Sequence, residues 1–243
     1  MKVIVTMTTV PSRMDSVLPQ TLRILANLNY HDYELHLNLP KKYSKTGETY
    51  VVPKWLHTME RVKVYTGLDD LGPKTKITPT LMRVDEPDAV IITADDDILY
   101  NRDFINYHLK KREDYPDRAL GFSGIINKKF VMTPRKDTDV DMLDNYKTAS
   151  YTRSMFGRDF FDHYAPQTWN DDIAISAYFR DKGITKTVLA YDKETNFMNR
   201  VRSFPVLNVI ECPMTGCDLI RGHAMKNTTD ELQQMYDGVK AHA

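Results

Sequence analysis

Cysteine is scarce in this sequence: Cys212 and Cys217 are the two among 243 residues. That excludes a disulfide-stapled scaffold and a four-cysteine zinc site, and it predicts two free thiols in a reducing compartment. Long apolar runs are missing too. No stretch approaches the roughly 18 apolar residues of a membrane span, and residues 2–7 are too short and too polar at their end for the core of a signal peptide. Net charge is also lacking, because 33 Lys plus Arg balance 33 Asp plus Glu. Bulk electrostatic attraction to nucleic acid or anionic membrane is thereby excluded, whereas a local basic pocket for a diphosphate is not. Internal repeats and low-complexity segments do not occur. These absences predict a soluble, cytoplasmic protein with no nucleic-acid partner and no membrane span.

What is present is an ordinary globular composition, 42% hydrophobic and 27% charged, over a length suited to one large α/β domain or two small ones. Residues 3–7 read as a strand, followed by the glycine-free polar loop Thr8-Thr9-Val10-Pro11-Ser12-Arg13. Leu18, Leu22, Leu25 and Leu28 recur at helical spacing, giving one buried face, and Pro19 places the helix start near itself. Leu35, Leu37 and Leu39 alternate with His36 and Asn38, predicting a strand that ends at Pro40. Further strands are predicted over 62–65 and 89–94, and the second of these is the continuous apolar run of a strand covered on both faces. A helical stretch surrounds Leu81. Strands and helices in this order predict a single α/β domain with a Rossmann-type mixed, mostly parallel sheet flanked by helices. Ligands of such sheets sit beyond the carboxyl ends of the strands. The loops over 8–13 and 72–76 and the run Asp95-Asp96-Asp97 all fall there.

The second half is less regular. A helix is predicted over 104–111, a strand over 119–125 and a final helix over 229–239. Residues 135–149 read as a polar, acidic loop of a length suited to a lid or an acceptor-binding segment. Asn170-Asp171-Asp172 opens a helix that runs through Tyr178 and stops at Gly183, a normal glycine terminator.

Three adjacent carboxylates after a buried strand repel one another, and a cation offsets that repulsion. Alternation along an extended chain would send Asp95 and Asp97 to one side and Asp96 to the other. Two carboxylates on one side suit a hard divalent ion, Mg²⁺ or Mn²⁺ rather than zinc. The plainer alternative is a helix cap or a solvated turn, for which aspartate is also favoured. The preceding apolar run favours the metal, since it sets the carboxylates at the mouth of the sheet.

Four ordered stretches carry a family resemblance. They are Thr9-Val10-Pro11-Ser12-Arg13; Leu37-Asn38-Leu39-Pro40 with Tyr43 and Pro53-Lys54-Trp55-Leu56; Gly72-Pro73-Lys74-Thr75-Lys76 with Pro79-Thr80-Leu81; and Ile91-Ile92-Thr93-Ala94-Asp95-Asp96-Asp97-Ile98-Leu99-Tyr100. Together they resemble a family of small GT-A-fold, nucleotide-sugar-dependent glycosyltransferases with members in bacteria and large DNA viruses; were this chain viral, the expected location would be the host cytoplasm. The resemblance covers roughly the first 100 residues and thins beyond residue 125.

It implies a nucleotide-sugar-binding half over 1–100 and an acceptor-binding half over 101–243 of one GT-A domain. The implied activity is metal-dependent transfer of a sugar from a nucleoside-diphosphate sugar to a hydroxyl of a glycan or glycoprotein acceptor. Thr8 and Arg13 would contact the nucleotide, Lys76 the diphosphate and Asp95 the ribose or base side. Asp96 belongs to the same donor-binding run, and Asp97 with Asp95 would hold Mn²⁺ or Mg²⁺, which offsets the negative charge developing on the leaving phosphate. The family tends to carry a small residue where Lys74 stands, so phosphate contact falls to Lys76 first. The plain alternative for Lys76 is a solvated lysine. Some enzymes of this fold complete the metal shell with a histidine near the C-terminus, which places His223 as a third ligand. An ordinary surface histidine is the alternative.

Inverting transfer needs a base to take the proton of the acceptor hydroxyl. Related folds place that carboxylate at the N-terminus of a helix in the second half, and Trp169-Asn170-Asp171-Asp172-Ile173-Ala174 resembles that pattern, with an aromatic beside it on which a sugar can stack. Asp172 is the expected base and Asp171 the second choice. Both also suit the cap and the positive end of the helix.

Three other functions compete. A nucleotidylyltransferase would carry a glycine-rich loop after the first strand, where this chain has no glycine. A phosphotransferase with an aspartyl nucleophile would carry Asp-x-Asp after the first strand rather than after residue 90. A non-catalytic sugar-nucleotide-binding protein of the same fold would be expected to lose some of Lys76, Asp95, Asp97 and Asp172.

Overall fold

The computed structural model describes residues 1–132 and 134–190. Cys212, Cys217, His223 and the helix expected over 229–239 lie outside the described residues. Strands β1 (Val3–Thr8), β2 (Glu34–Pro40), β3 (Val62–Leu68) and β4 (Val90–Thr93) alternate with helices α1 (Leu18–Leu25) and α2 (Thr78–Arg83). The order continues with α3 (Phe104–Asp114), β5 (Ala119–Ile126), β6 (Lys129–Met132), β7 (Thr138–Asp139), β8 (Met142–Thr152), α4 (Asp171–Asp181) and β9 (Lys186–Val188). Among the described residues these strands form one nine-stranded sheet in the order β3-β2-β1-β4-β8-β5-β9-β7, with β6 beside β5.

β1 pairs in parallel with β2 and β4, β2 with β3, and β5 with β9. β8 runs antiparallel between β4 and β5. β1 to β5 and β9 therefore all point one way, and the mixed, mostly parallel sheet expected from the sequence is present.

Both faces are covered. Val3, Val5 and Met7 of β1 pack with α1 and α3, whereas Ile4 and Ile91 pack with α2 and α4. Leu18, Leu22 and Leu25 on α1 are fully buried and Pro19 sits in the first turn, as the spacing predicts. Burial of each such leucine stabilises the fold by about 2 kcal/mol. No described helix is long and apolar enough to cross a membrane.

His36 and Asn38, which alternate with the leucines of β2, are buried as well, at 2% and 0% exposure. They face α2, where Asn38 Nδ2 donates to Thr6 Oγ1, Thr80 Oγ1 and the Lys76 carbonyl at 3.1, 3.1 and 3.2 Å. Arg83 Nη2 donates to Asn38 Oδ1 at 2.5 Å while its guanidinium lies over the Tyr65 ring. One expectation needs correction, that for residues 135–149. In place of a loop or lid they supply β7 and most of β8, an 11-residue strand in the middle of the sheet. Its polar side chains are paired across the core: Thr148 with His108, and Ser150 with Arg112.

Candidate active site

The carboxyl ends of β1 and β4 lie side by side, because Thr6 pairs with Thr93 in register. Beyond β4 the chain stops being extended and turns at Asp96 and Asp97. Strand alternation therefore does not govern the triplet, and it does not set Asp95 and Asp97 together against Asp96. Two hydrogen bonds shape the turn. Asp95 N donates to the Tyr100 hydroxyl at 2.7 Å, and Thr21 Oγ1 donates to the Asp96 carbonyl at 2.7 Å.

Asp96 points back at the loop after β1. Its Oδ2 accepts from Thr9 Oγ1 at 2.5 Å, and its Oδ1 accepts from Arg13 Nη1 at 2.6 Å. The same Arg13 nitrogen lies 3.1 Å from Asp97 Oδ2. Asp96 is 6% exposed, so it works from inside as the clasp that joins the two loops. Thr8 is turned to β2, where its Oγ1 donates to the Asn38 carbonyl at 2.8 Å. Thr9, which contacts Asp96 directly, was not singled out in the sequence as a site residue. Its place in the stretch beside Arg13 was the available signal.

Lys76 is not a solvated lysine. The turn Gly72–Lys76 is fastened to the sheet through its carbonyl, which accepts from Thr6 Oγ1 at 2.6 Å as well as from Asn38. Lys76 Nζ then lies 3.0 Å from Asp95 Oδ1 and 3.5 Å from Asp171 Oδ2, with the residue only 8% exposed. Burial works against its charge, but Asp171, Asp95 and Asp172 outweigh it and hold the ammonium well above the ordinary lysine pKa. Lys74 is spent elsewhere, donating to the carbonyls of Ala165 and Thr168. Gly72 has φ +63°, and a side chain there would collide with the Trp169 ring. Trp169, 58% exposed, thus packs against the turn that carries Lys76.

The helix cap is neither Asp171 nor Asp172. Asn170 fills that position, its Oδ1 accepting from Ile173 N at 3.1 Å. The two aspartates occupy the first turn, where the helix end favours negative charge, and they meet β8. Asn145 N donates to Asp172 Oδ1 at 2.7 Å, and Asn145 Nδ2 donates to Asp171 Oδ2 at 3.3 Å. Burial, then the charges of Asp171 and Asp144, push the Asp172 carboxyl well above the usual carboxylate range, with Lys76 and the Asn145 N–H opposing. Asn145 and the Tyr151 hydroxyl that donates to it had no local sequence signal, because their partners are remote in sequence.

Asp95, Asp96, Asp97, Asp171 and Asp172 thus gather around Arg13 and Lys76. Asp97 lies in this crowd, and its carboxyl is pushed up to about 6 by burial and then by Asp96 and Asp95. Among the described residues no three His, Cys, Asp or Glu side chains cluster so as to hold a metal ion. Of the two carboxylates expected to hold a metal, Asp95 presents Oδ1 to Lys76 at 3.0 Å and Asp97 presents Oδ2 to Arg13 at 3.1 Å.

No protein-family model matches the chain, and no curated protein matches it. Solved structures do. The chain is similar to S. aureus TarS at 12% identity, covering 79% of this chain and 35% of that one, with a TM-score of 0.50. It is similar to TarS 1–349 at 12% identity, covering 79% and 58%, with a TM-score of 0.50. For TarS 1–349 in complex with UDP the values are 13%, 79%, 59% and 0.52. The chain thus spans between about a third and three fifths of the length of these structures. The likeness establishes the glycosyltransferase-like α/β fold expected from the sequence and does not single out the family named there.

Proposed function

We propose that this chain is a nucleotide-sugar-dependent glycosyltransferase. The observation that carries the reading is the meeting of Arg13, Lys76, the aspartate triplet and the Asp171–Asp172 pair beyond the carboxyl ends of β1 and β4. A buried lysine and an arginine suit a diphosphate, and a carboxylate of raised pKa a few residues from an exposed tryptophan suits proton removal from a sugar hydroxyl. The shared fold of the UDP-bound TarS 1–349 structure makes UDP the first nucleotide to try.

In this reading the loop bearing Thr8 and Arg13 meets the nucleotide, and Lys76 turns its ammonium to the diphosphate. Asp95 and Asp97 would hold Mn²⁺ or Mg²⁺, which when bound offsets charge on the leaving diphosphate. Asp172 takes the proton of the acceptor hydroxyl as its oxygen attacks the anomeric carbon. The bond from that carbon to the diphosphate breaks with inversion, and the nucleoside diphosphate departs with the electron pair. The acceptor is proposed to be a glycan or glycoprotein hydroxyl, bound by the second half of the chain.

The test is release of nucleoside diphosphate from a panel of UDP- and GDP-sugars with Mn²⁺, with and without simple glycoside acceptors. Turnover that depends on Asp172 supports the reading. UDP binding without turnover of any donor favours the non-catalytic alternative.

A further inference from the structure

We propose that Asn145 is the positioning residue of the Asp171–Asp172 pair, a role that rests on the reading of that pair as the proton-accepting site. Asn145 lies in β8 and is 1% exposed. Its backbone N–H donates to Asp172 at 2.7 Å and its side-chain amide donates to Asp171 at 3.3 Å, so one residue of the sheet holds both carboxylates of the helix. Helix capping does not account for this contact, since Asn170 already caps α4.

The two ends of an amide are nearly the same size, and only their hydrogen-bond partners decide which way it faces. An ionised carboxylate accepts and never donates, so the nitrogen must face Asp171. Tyr151, fully buried and six residues further along β8, donates its hydroxyl to Asn145 Oδ1 and closes off the flipped arrangement. Burial, with Asp172 and Asp171 nearby, holds the Tyr151 hydroxyl well above its ordinary pKa and keeps it a donor.

The two carboxylates come out unequal. Asp171 Oδ2 takes both the amide and the approach of Lys76 at 3.5 Å. Asp172 accepts through Oδ1 from the backbone, and no other hydrogen bond to it occurs among the described residues. Its second oxygen is left for an incoming hydroxyl. Asn145 thereby sorts the pair into an anchor, Asp171, and an acceptor, Asp172, without touching substrate.

The experiment compares Asn145→Ala and Tyr151→Phe with the wild-type chain in turnover of UDP-sugars with Mn²⁺, in UDP affinity by calorimetry and in melting temperature. Positioning predicts a kcat lower by roughly tenfold to a hundredfold in Asn145→Ala, with a smaller loss in Tyr151→Phe. Donor KM and UDP affinity should stay within about twofold of wild type. Adding Asn145→Ala to Asp172→Asn should cost no more rate than Asp172→Asn alone, because the pair acts as a unit. Tyr151→Phe deletes one oxygen and keeps the ring, so it tests the role even if Asn145→Ala does not fold. A kcat unchanged in Tyr151→Phe and in folded Asn145→Ala, while Asp172→Asn is slow, overturns the positioning role and leaves the base in place. Parallel loss of kcat, UDP affinity and melting temperature also overturns it, in favour of a merely structural asparagine. Wild-type speed in Asp172→Asn, or a wild-type chain that binds UDP and turns over no donor, overturns the reading of the pair itself and the positioning role with it.

Discussion

Lys76 Nζ lies 3.5 Å from Asp171 Oδ2, and this contact joins the turn after β3 to the first turn of α4. The same ammonium is 3.0 Å from Asp95. A single cation therefore holds together the end of β4 and the helix that carries the proposed base. Any ligand that draws Lys76 towards a diphosphate would also alter the charge seen by Asp171.

Lys76→Met tests that linkage. The substitution keeps the length of the side chain but leaves Asp95 and Asp171 facing each other without their cation. Breaking a buried ion pair from one side costs roughly 3 kcal/mol. We expect a clear fall in the urea midpoint and a UDP affinity at least roughly tenfold weaker. Lys76→Met with wild-type stability and UDP binding would remove Lys76 from the site.

Divalent ions should matter to nucleotide binding. The excess of carboxylate charge around Arg13 and Lys76 disfavours an added diphosphate unless a cation comes with it. Calorimetry is expected to show UDP bound with Mn²⁺ or Mg²⁺ and much more weakly in EDTA. Equal affinities would refute the assignment of Asp95 and Asp97 to a metal.

Asp97 gives a pH signature in the chain free of divalent ions. Its carboxyl is raised to about 6 in the fold, above its unfolded value, by burial first and then by Asp96 and Asp95. The folded state therefore holds this proton more tightly than the unfolded state. Stability present below pH ~4 is lost as pH rises to ~6, on the order of 3 kcal/mol in all. Asp172, raised too, works in the same direction. Asp97→Asn should flatten this slope and melt several degrees higher than wild type at pH 7, while donor turnover falls at least roughly tenfold, about 1.4 kcal/mol of transition-state stabilisation. Melting curves between pH 4 and 7 decide the first part, and a folded variant with full activity would contradict the second.

How much of this was legible beforehand depends on where each residue finds its partners. β1 to β4 announce themselves through local apolar runs, and α1 through its leucine spacing, so sequence reading finds them. β8 does not, because Asn145, Thr148 and Ser150 are paired to residues 26 to 40 positions away in sequence. Such a strand looks like a polar loop to any rule based on neighbours. The same blindness hid the burial of Lys76 and the inward turn of Asp96, whose partners Thr9 and Arg13 stand more than 80 positions away. Residue types at the site were readable, but their division of labour was not.

The last prediction separates chemistry from structure at Asp172. Asparagine has the same shape, and its carbonyl can still accept from Asn145 N. The helix retains its cap in Asn170, so no capping energy is at stake. Removing the charge also relieves the cost of burying it and the repulsion from Asp171 and Asp144, which in that order raise the Asp172 pKa in the wild-type chain. Asp172→Asn should therefore be at least as stable as wild type at pH 7. It cannot take a proton there, so the transfer rate should fall by roughly 10² to 10⁴. UDP binding should survive, because Arg13, Lys76, Asp95 and Asp97 are untouched. Asp171→Asn should behave differently, since it strips Lys76 of one of its two carboxylates and costs stability as well as rate. Loss of transfer in Asp171→Asn with normal transfer in Asp172→Asn would move the base by one residue. Normal transfer in both, in folded proteins that bind UDP, would take the proton-accepting role away from this helix altogether.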